Sequence, residues 1–489
     1  MKRTLCLVLA LCVMTATACG GKPASPEVGD SNTAEGSGTE ANVDQDNLDA
    51  PAVDENTGEL FSTSSEQAEA YQAFAAELSG KYAGKSLNIV TVSDPWLSGM
   101  KEIITEFEAL TGCTVYISDL GYDACYSKEV LIASQKSNEA DVFIYDYPWI
   151  GALSESLLPL NDSLTDHKAL VNYEDFFAVG QAGSTWDENI LGLPFAPYFT
   201  MLTYNTDLFE KAGIEKAPAT VEELKEAAAA LTSESTAGIA LNNQSGTCVG
   251  QAYFEWIYNF GGKAFESCYP GSDDYYADMT PCLTSEESLS VVRFFKDMLQ
   301  YEGSGALNMA WNERFSAFAT GNAAIMSPWI TDIMPLDDTE QSLVSECYAT
   351  APAVCAEGVK QHTPVGGYSM GVSRYAAESD LAVDFMLWFT SPETAYKFIG
   401  AGGLPARYSL IYDPELCSQY SYYSTLQQVV DTSFCAFRPQ IPESFEIMDT
   451  IGQYIGLYLD DSMELEQAMK TAEEEVTKLL EDAGYTVNR

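Results

Sequence analysis

A chain of 489 residues with 46% hydrophobic and 20% charged residues carries enough apolar side chains for a sizeable folded core. Its 72 Asp and Glu against 24 Lys and Arg leave a formal charge of −48. That excess excludes nucleic-acid binding by phosphate neutralisation and makes the surface a poor match for anionic lipid head groups; it reads first as solubility and second as attraction for a cationic solute.

In chain order, Lys2 and Arg3 precede an apolar run from Leu5 to Met14 and the small residues Thr15 to Ala18, the order of an export signal. About ten apolar residues fall well short of the roughly twenty that a membrane-spanning helix needs, and no later segment reaches that length. Ala16-Thr17-Ala18-Cys19-Gly20 resembles a bacterial lipobox. Residues 1–18 are therefore expected to be removed and Cys19 lipidated, which holds the protein at the extracytoplasmic face of the cell membrane by the lipid alone. From Gly20 to about Glu66 the chain is rich in Gly, Ser, Thr, Asn, Pro and acid. Such a segment cannot offset its ordering entropy, and residues 19–80 are expected to form a disordered, self-repelling tether.

Beyond Lys85 strand and helix signals alternate. Leu87 to Val92 reads as a strand, and Met100, Ile103, Ile104, Phe107 and Leu110 recur at helical spacing until Thr111-Gly112. Thr114 to Ile117 and Val142 to Tyr145 are further strands. This order predicts an α/β fold with a parallel, doubly wound sheet. Thr220-Val-Glu-Glu223 is a capping box, Ser391-Pro392 offers a helix start, and Met463 to Leu480 is a long amphipathic helix followed by Gly484. About four hundred folded residues exceed one ordinary core, so two lobes are expected.

Twelve Cys are present, and nine remain once Cys6, Cys12 and Cys19 are set aside. An exported location permits disulfides, and Cys113/Cys125, Cys268/Cys282, Cys347/Cys355 and Cys417/Cys435 would close short loops. An odd number leaves at least one free thiol, with Cys248 the candidate. No spacing matches a zinc site, and neither metal nor cofactor is expected. His167 and His362 read as surface or hinge residues. The chain contains no HExxH, GxSxG, P-loop, helix-opening GxGxxG or CxxC, so enzyme activity is not expected. Gly261-Gly262 and Gly366-Gly367 read as turns or close backbone approaches.

Ligands of open parallel sheets lie outside the carboxyl ends of the strands. Here those ends are Ser93-Asp94-Pro95-Trp96 and Asp146-Tyr147-Pro148-Trp149, each with a Trp beside a carboxylate. A cyclic sugar suits such a pair, because an aromatic plane covers its C–H face and a carboxylate accepts from its hydroxyls. Trp96, Trp149, Trp256 and Trp329 lie near element ends, as do Tyr147, Tyr198 and Tyr368. Any one of these is as readily core packing, but at least two of the four Trp are expected to line a cleft.

From about Leu87 to Gly484 the chain resembles the extracellular solute-binding proteins of family 1, the group that includes maltose-binding protein. The resemblance is carried in order by Phe107 to Gly112, Ala140 to Asp146, Ser156 to Leu160, Gly192-Leu-Pro-Phe195 with Leu202 to Phe209, Phe318 to Trp329, Gly366 to Val372, and Gly403 to Arg407. It implies a two-lobed periplasmic-binding-protein type II fold. Each lobe would be a mostly parallel sheet flanked by helices, with crossings near Leu202, Thr363 and Ser409. Lobe 1 is then 85–202 with 363–409, and lobe 2 is 203–362 with 410–489. It further implies a monomeric substrate-binding subunit that closes on a sugar or oligosaccharide and docks on an ABC permease. Carried onto this sequence, the implied ligand contacts are Trp96, Asp146, Trp149, Tyr198, Trp256, Trp329, Tyr368 and Arg407. The loop from Cys268 to Cys282 has no counterpart in the resemblance. Two alternatives stay open: the same fold holding a polyamine or other cation, and a surface-anchored glycoside hydrolase or glycan adhesin.

Overall fold

The protein is described by a computed structural model over residues 64–489, apart from 270, 271, 273, 435, 436 and 489. The export signal, Cys19, the tether up to residue 63 and Cys435 lie outside the described residues.

The end of the expected tether is corrected. Ser65–Leu78 is a helix, α1, opened by a capping box in which Ser64 and Gln67 bond each other's backbone. Phe74 and Leu78 are buried, with the Phe74 ring edge-on to His167 at 5.3 Å. Tyr82 and Lys81 then reach Asp384 of the helix Ser379–Phe389 at 2.6 and 2.9 Å. The two buried residues, Phe74 and Leu78, suffice here, because a folded body is present to receive them.

Strand β1 (Ser86–Val92) lies between β2 (Thr114–Leu120) and β3 (Val142–Asp146), parallel to both. Helix α2 (Leu97–Thr111) joins β1 to β2 and ends on Gly112, whose φ of 75° takes the left-handed cap. Helix α3 (Tyr122–Gln135) joins β2 to β3. The sheet then turns antiparallel. Strand β4 (Leu193–Phe199) and β3 flank the long strand Thr363–Val372 on opposite sides, both antiparallel to it.

A second sheet centres on β5 (Leu202–Asn205), which pairs with β6 (Ile325–Met326) and β7 (Tyr348–Ala351). Its ladders are antiparallel, which corrects the expected mostly parallel order there; isolated parallel bridges are Ala237 to Ala323, Ala240 to Met326 and Thr220 to Cys355. The strand 363–372 is β8, and β9 (Ser433–Phe434) runs parallel to its start. Within 410–489, expected to form part of lobe 2, β9 therefore joins the first sheet.

The helices Thr247–Ile257, Glu286–Met298, Ser444–Leu459 and Leu465–Ala483 pack on one another. The first and third of these meet almost backbone to backbone. A Cβ on Gly452 would lie 1.8 Å from the Gly246 carbonyl oxygen, and one on Gly250 would lie 2.0 Å from that of Met448. Among the described residues no helix is long and apolar enough to cross a membrane. Cys113, Cys125, Cys347 and Cys355 stand as free thiols, so the loops 113–125 and 347–355 are not closed. Cys113 instead takes a bond from Thr111, and the Cys125 thiol faces buried Glu129.

Candidate functional site

β1 sits between β2 and β3, so the connections leaving it diverge and open a crevice at the carboxyl ends of the strands. Asp94 follows β1, Tyr122 follows β2 and opens α3, and Asp146 is the last residue of β3. Facing them are Gln251 on the helix 247–257, Trp311 and Asn312 at the start of the helix Trp311–Ala319, and Trp329, Thr331 and Asp332 around the short helix Ile330–Ile333. Tyr198 of β4, Gly366, Gly367 and Tyr368 of β8, and Arg438 complete a cavity of about 200 Å³.

The charges are arranged in pairs. Arg438 grips Asp146 with two parallel bonds, Nη1 to Oδ2 at 2.7 Å and Nη2 to Oδ1 at 3.0 Å. Nη1 also donates to the Tyr122 hydroxyl at 3.0 Å, and that hydroxyl donates to Asp146 Oδ2 at 2.6 Å. Both oxygens of Asp146 are therefore engaged. Arg314 donates to Asp332 at 2.6 Å and to the Ser327 carbonyl at 2.9 Å. Burial pushes the Asp332 carboxyl up while Arg314 opposes it. Behind Gln251, Glu255 accepts its amide at 2.9 Å. Burial holds Glu255 at about 7, against the pull of Arg314 and Arg438.

Asp94 differs. Among the described residues no Lys or Arg pairs with it, and it accepts from Thr331 Oγ1 at 3.1 Å and from the Tyr198 hydroxyl. Burial first, then Asp332 and Asp146, push its carboxyl up to about 7, with the Tyr198 and Thr331 bonds opposing. The Trp96 indole N–H donates to Tyr198, so one chain of bonds runs from Trp96 through Tyr198 to Asp94.

Two glycines keep this wall thin. A Cβ on Gly366 would lie 3.0 Å from Arg438 Nη2 and 3.6 Å from the Trp329 ring. Gly367 has φ +116°, and a Cβ there would lie 2.3 Å from the Ala196 carbonyl oxygen, just before the register shift at Tyr368/Ser369.

Of the residues expected as contacts, Asp146, Tyr198, Trp329 and Tyr368 line the cavity. Four do not, and each is corrected. Trp96 is fully buried, edge-on to Phe195 at 5.0 Å and tilted against Tyr368 at 5.8 Å, where it positions Tyr198. Trp149 packs between Tyr122 and Tyr126 at 4.9 and 5.3 Å. Trp256 lies 4.8 Å from Phe294, between the helices 247–257 and 286–298. Arg407 is 0% exposed; it bonds the carbonyls of Val171, Asn172 and Thr390, pairs with Asp175 and lies 3.8 Å over the Phe176 ring. Burial pulls its pKa down to about 10. It is a strut between segments.

Of the four Trp, then, one lines the cavity rather than two; the second indole is that of Trp311, 5.9 Å from Tyr122. Tyr122 was findable by the strand-end rule that pointed to Asp94 and Asp146. Arg438, Asp332 and Gln251 carry no local signal. The loop after Cys268 buttresses Arg438: the Tyr258 hydroxyl lies 3.0 Å from the Cys268 carbonyl and 3.1 Å from that of Phe437, and the Gln440 N–H donates to the Tyr276 hydroxyl at 3.0 Å. His167 bonds the Ser163 carbonyl and His362 packs on Phe434, both off the cavity wall.

Residues 102–421 match the family model of the bacterial extracellular solute-binding proteins. A protein of Sinorhizobium fredii described as a "probable amino-acid ABC transporter periplasmic-binding protein" is 26% identical over 362 residues, 71% of this chain and 78% of its own length. An ABC transporter solute-binding protein from Agrobacterium radiobacter, solved in complex with ribitol, is 25% identical with a TM-score of 0.76, over 81% of this chain and 99% of that one. Maltose-bound T. maritima MalE3 shares the fold at 20% identity and a TM-score of 0.73, over 81% of this chain and 100% of that one.

Proposed function

Because the chain belongs to the bacterial extracellular solute-binding proteins, we propose that it is the non-enzymatic, solute-capturing subunit of an ABC importer and that its solute is a sugar or polyol. The observation that carries this reading is the cavity wall. It sets the rings of Trp311, Trp329, Tyr198 and Tyr368 beside Asp94, Gln251 and Asn312, at the carboxyl ends of the strands. Aromatic planes cover C–H faces, and the carboxylate and amides exchange hydrogen bonds with hydroxyls. The ribitol and maltose held by the two solved relatives support it. The description of the Sinorhizobium protein points instead to an amino acid. Against that, an amino acid's carboxylate needs a free cation, and Arg438 and Arg314 are already taken by aspartates.

In this reading the lobes are 85–202 with 363–409 and 203–362 with 410–489. They close on the solute, and the monomer then meets a permease on the extracytoplasmic face, tethered through lipidated Cys19. The separation of β1–β4 and β8 from β5–β7 into two sheets supports the division, while β9, within 410–489, crosses it to join the first sheet. A thermal-shift screen with pentitols, hexitols, hexoses, maltose, amino acids and polyamines tests the ligand class, since a ligand of the native state alone must raise the melting temperature. A shift with amino acids and none with sugars or polyols would sink the reading. A second reading, a cationic solute, is favoured by one observation, the unpaired Asp94 amid aromatic rings. Steep loss of affinity with added salt would mark it.

A further inference from the structure

We infer that Asp94 sets what the cavity accepts: a single polyhydroxy solute of about one sugar ring or one hexitol, neutral in charge, with an anionic solute of the same size refused. The inference rests on the sugar or polyol reading above and sharpens it to size and charge.

Size comes first. The cavity holds about 200 Å³, below the ~300–1,000 Å³ of pockets that take drug-sized ligands. One ring with its hydroxyls fits within that; a chain of rings does not.

Charge comes second. Three aspartates line the cavity, and two are already answered, Asp146 by Arg438 and Asp332 by Arg314. The third, Asp94, has no such cation among the described residues and accepts from two hydroxyls, those of Thr331 and Tyr198. Above about pH 7, where Asp94 is ionised, a solute carboxylate or phosphate would meet an unanswered carboxylate and, among the described residues of the wall, find no unengaged arginine. Like charges brought together away from water are strongly unfavourable.

The choice between a neutral solute and a cation falls on the amides of the wall. Gln251 and Asn312 line the cavity, and an amide both donates and accepts. An ammonium only donates, so it would satisfy Asp94 and leave the donors of the wall unanswered. Hydroxyls donate to Asp94 and accept from the amides in the same pose. A polyhydroxy solute is the class that meets both needs.

The test is calorimetric titration of the purified chain, wild type and Asp94→Asn. The probes are ribitol, D-mannitol, D-glucose and D-galactose, their acid counterparts ribonate, gluconate and galacturonate, and maltotriose and spermidine. The expected result is binding of at least one neutral probe, with its acid counterpart and maltotriose weaker by a hundredfold or more. Asp94→Asn keeps the acceptor for Thr331 and Tyr198, weakens the neutral probe at least tenfold and narrows the gap to the acid. The wild-type comparison of neutral and acid probes needs no variant, so it stands even if Asp94→Asn fails to fold. Equal affinity for a probe and its acid, or Asp94→Asn at wild-type affinity, overturns the role of Asp94 while the sugar or polyol reading survives. Maltotriose bound as tightly as the best single-ring probe overturns the size limit alone. Spermidine as the only ligand, or no binding to any probe, overturns the solute class together with the reading on which it rests.

Discussion

Burial decides what each ionisable side chain in the cavity region can do. Asp94 and Glu255 are both held at about 7, Asp94 from an ordinary value of 3.8 and Glu255 from 4.5, chiefly by removal from water. A carboxyl whose folded value is raised binds its proton more tightly in the native state. Its contribution to stability is therefore whole below about pH 4 and is lost as the pH rises through about 7. In the ligand-free protein, Asp94→Asn is expected to raise the melting temperature more at pH 8 than at pH 5; an equal change at both would contradict the raised value. Trp311 is half-buried on the cavity wall, so Trp311→Ala is expected to weaken sugar or polyol binding about tenfold with little change in melting temperature. Arg407 behaves oppositely. Arg407→Ala leaves Asp175 buried without its partner and three carbonyls without a donor, and is expected to cost about 3–5 kcal/mol in chemical denaturation. No local pattern distinguished the wall residue from the strut, because both are large, polar-tipped side chains near element ends.

Helix and strand positions were legible wherever a boundary residue has a chemical reason to be there. Gly112 and Gly484 cap their helices in the left-handed region, and Thr220 and Glu223 make the expected capping box. Helix α1 escaped notice because Tyr71, Phe74 and Leu78 are sparse among Ala, Glu and Gln, and its apolar face has meaning only against the body it packs on. Phe74→Ala is expected to destabilise by about 3–5 kcal/mol, read from the urea midpoint, as for other buried aromatics. A disordered segment there would show no change. The crossing of the helices 247–257 and 444–459 was likewise unreadable, since Gly250 and Gly452 lie some two hundred residues apart. With 1.8 Å between the Gly246 carbonyl oxygen and a Cβ at position 452, Gly452→Ala must push the helices apart, at a cost of at least about 1–3 kcal/mol.

At the scale of the whole molecule, the first sheet's strand ends meet the elements facing them at several points besides the Arg438–Asp146 pair. Thr331 donates to Asp94, Thr247 donates to Asp123 at 3.3 Å, and Trp311 lies 5.9 Å from Tyr122. A closing motion of the proposed lobes would make and break contacts of this kind. A saturating sugar or polyol is accordingly expected to lower the radius of gyration measured by small-angle scattering, and an unchanged radius would count against closure. By itself the sequence determined the order of strands and helices, the strand ends where Asp94 and Asp146 stand, and the family, because these depend on neighbours within a few residues and on motifs kept in order. Only the tertiary structure decided which aromatics face the cavity, which arginines are struts, and that of the three cavity aspartates Asp94 has no cation among the described residues. Those facts depend on residues such as Arg438 and Thr331, hundreds of positions away in the chain, meeting the ends of β1 and β3.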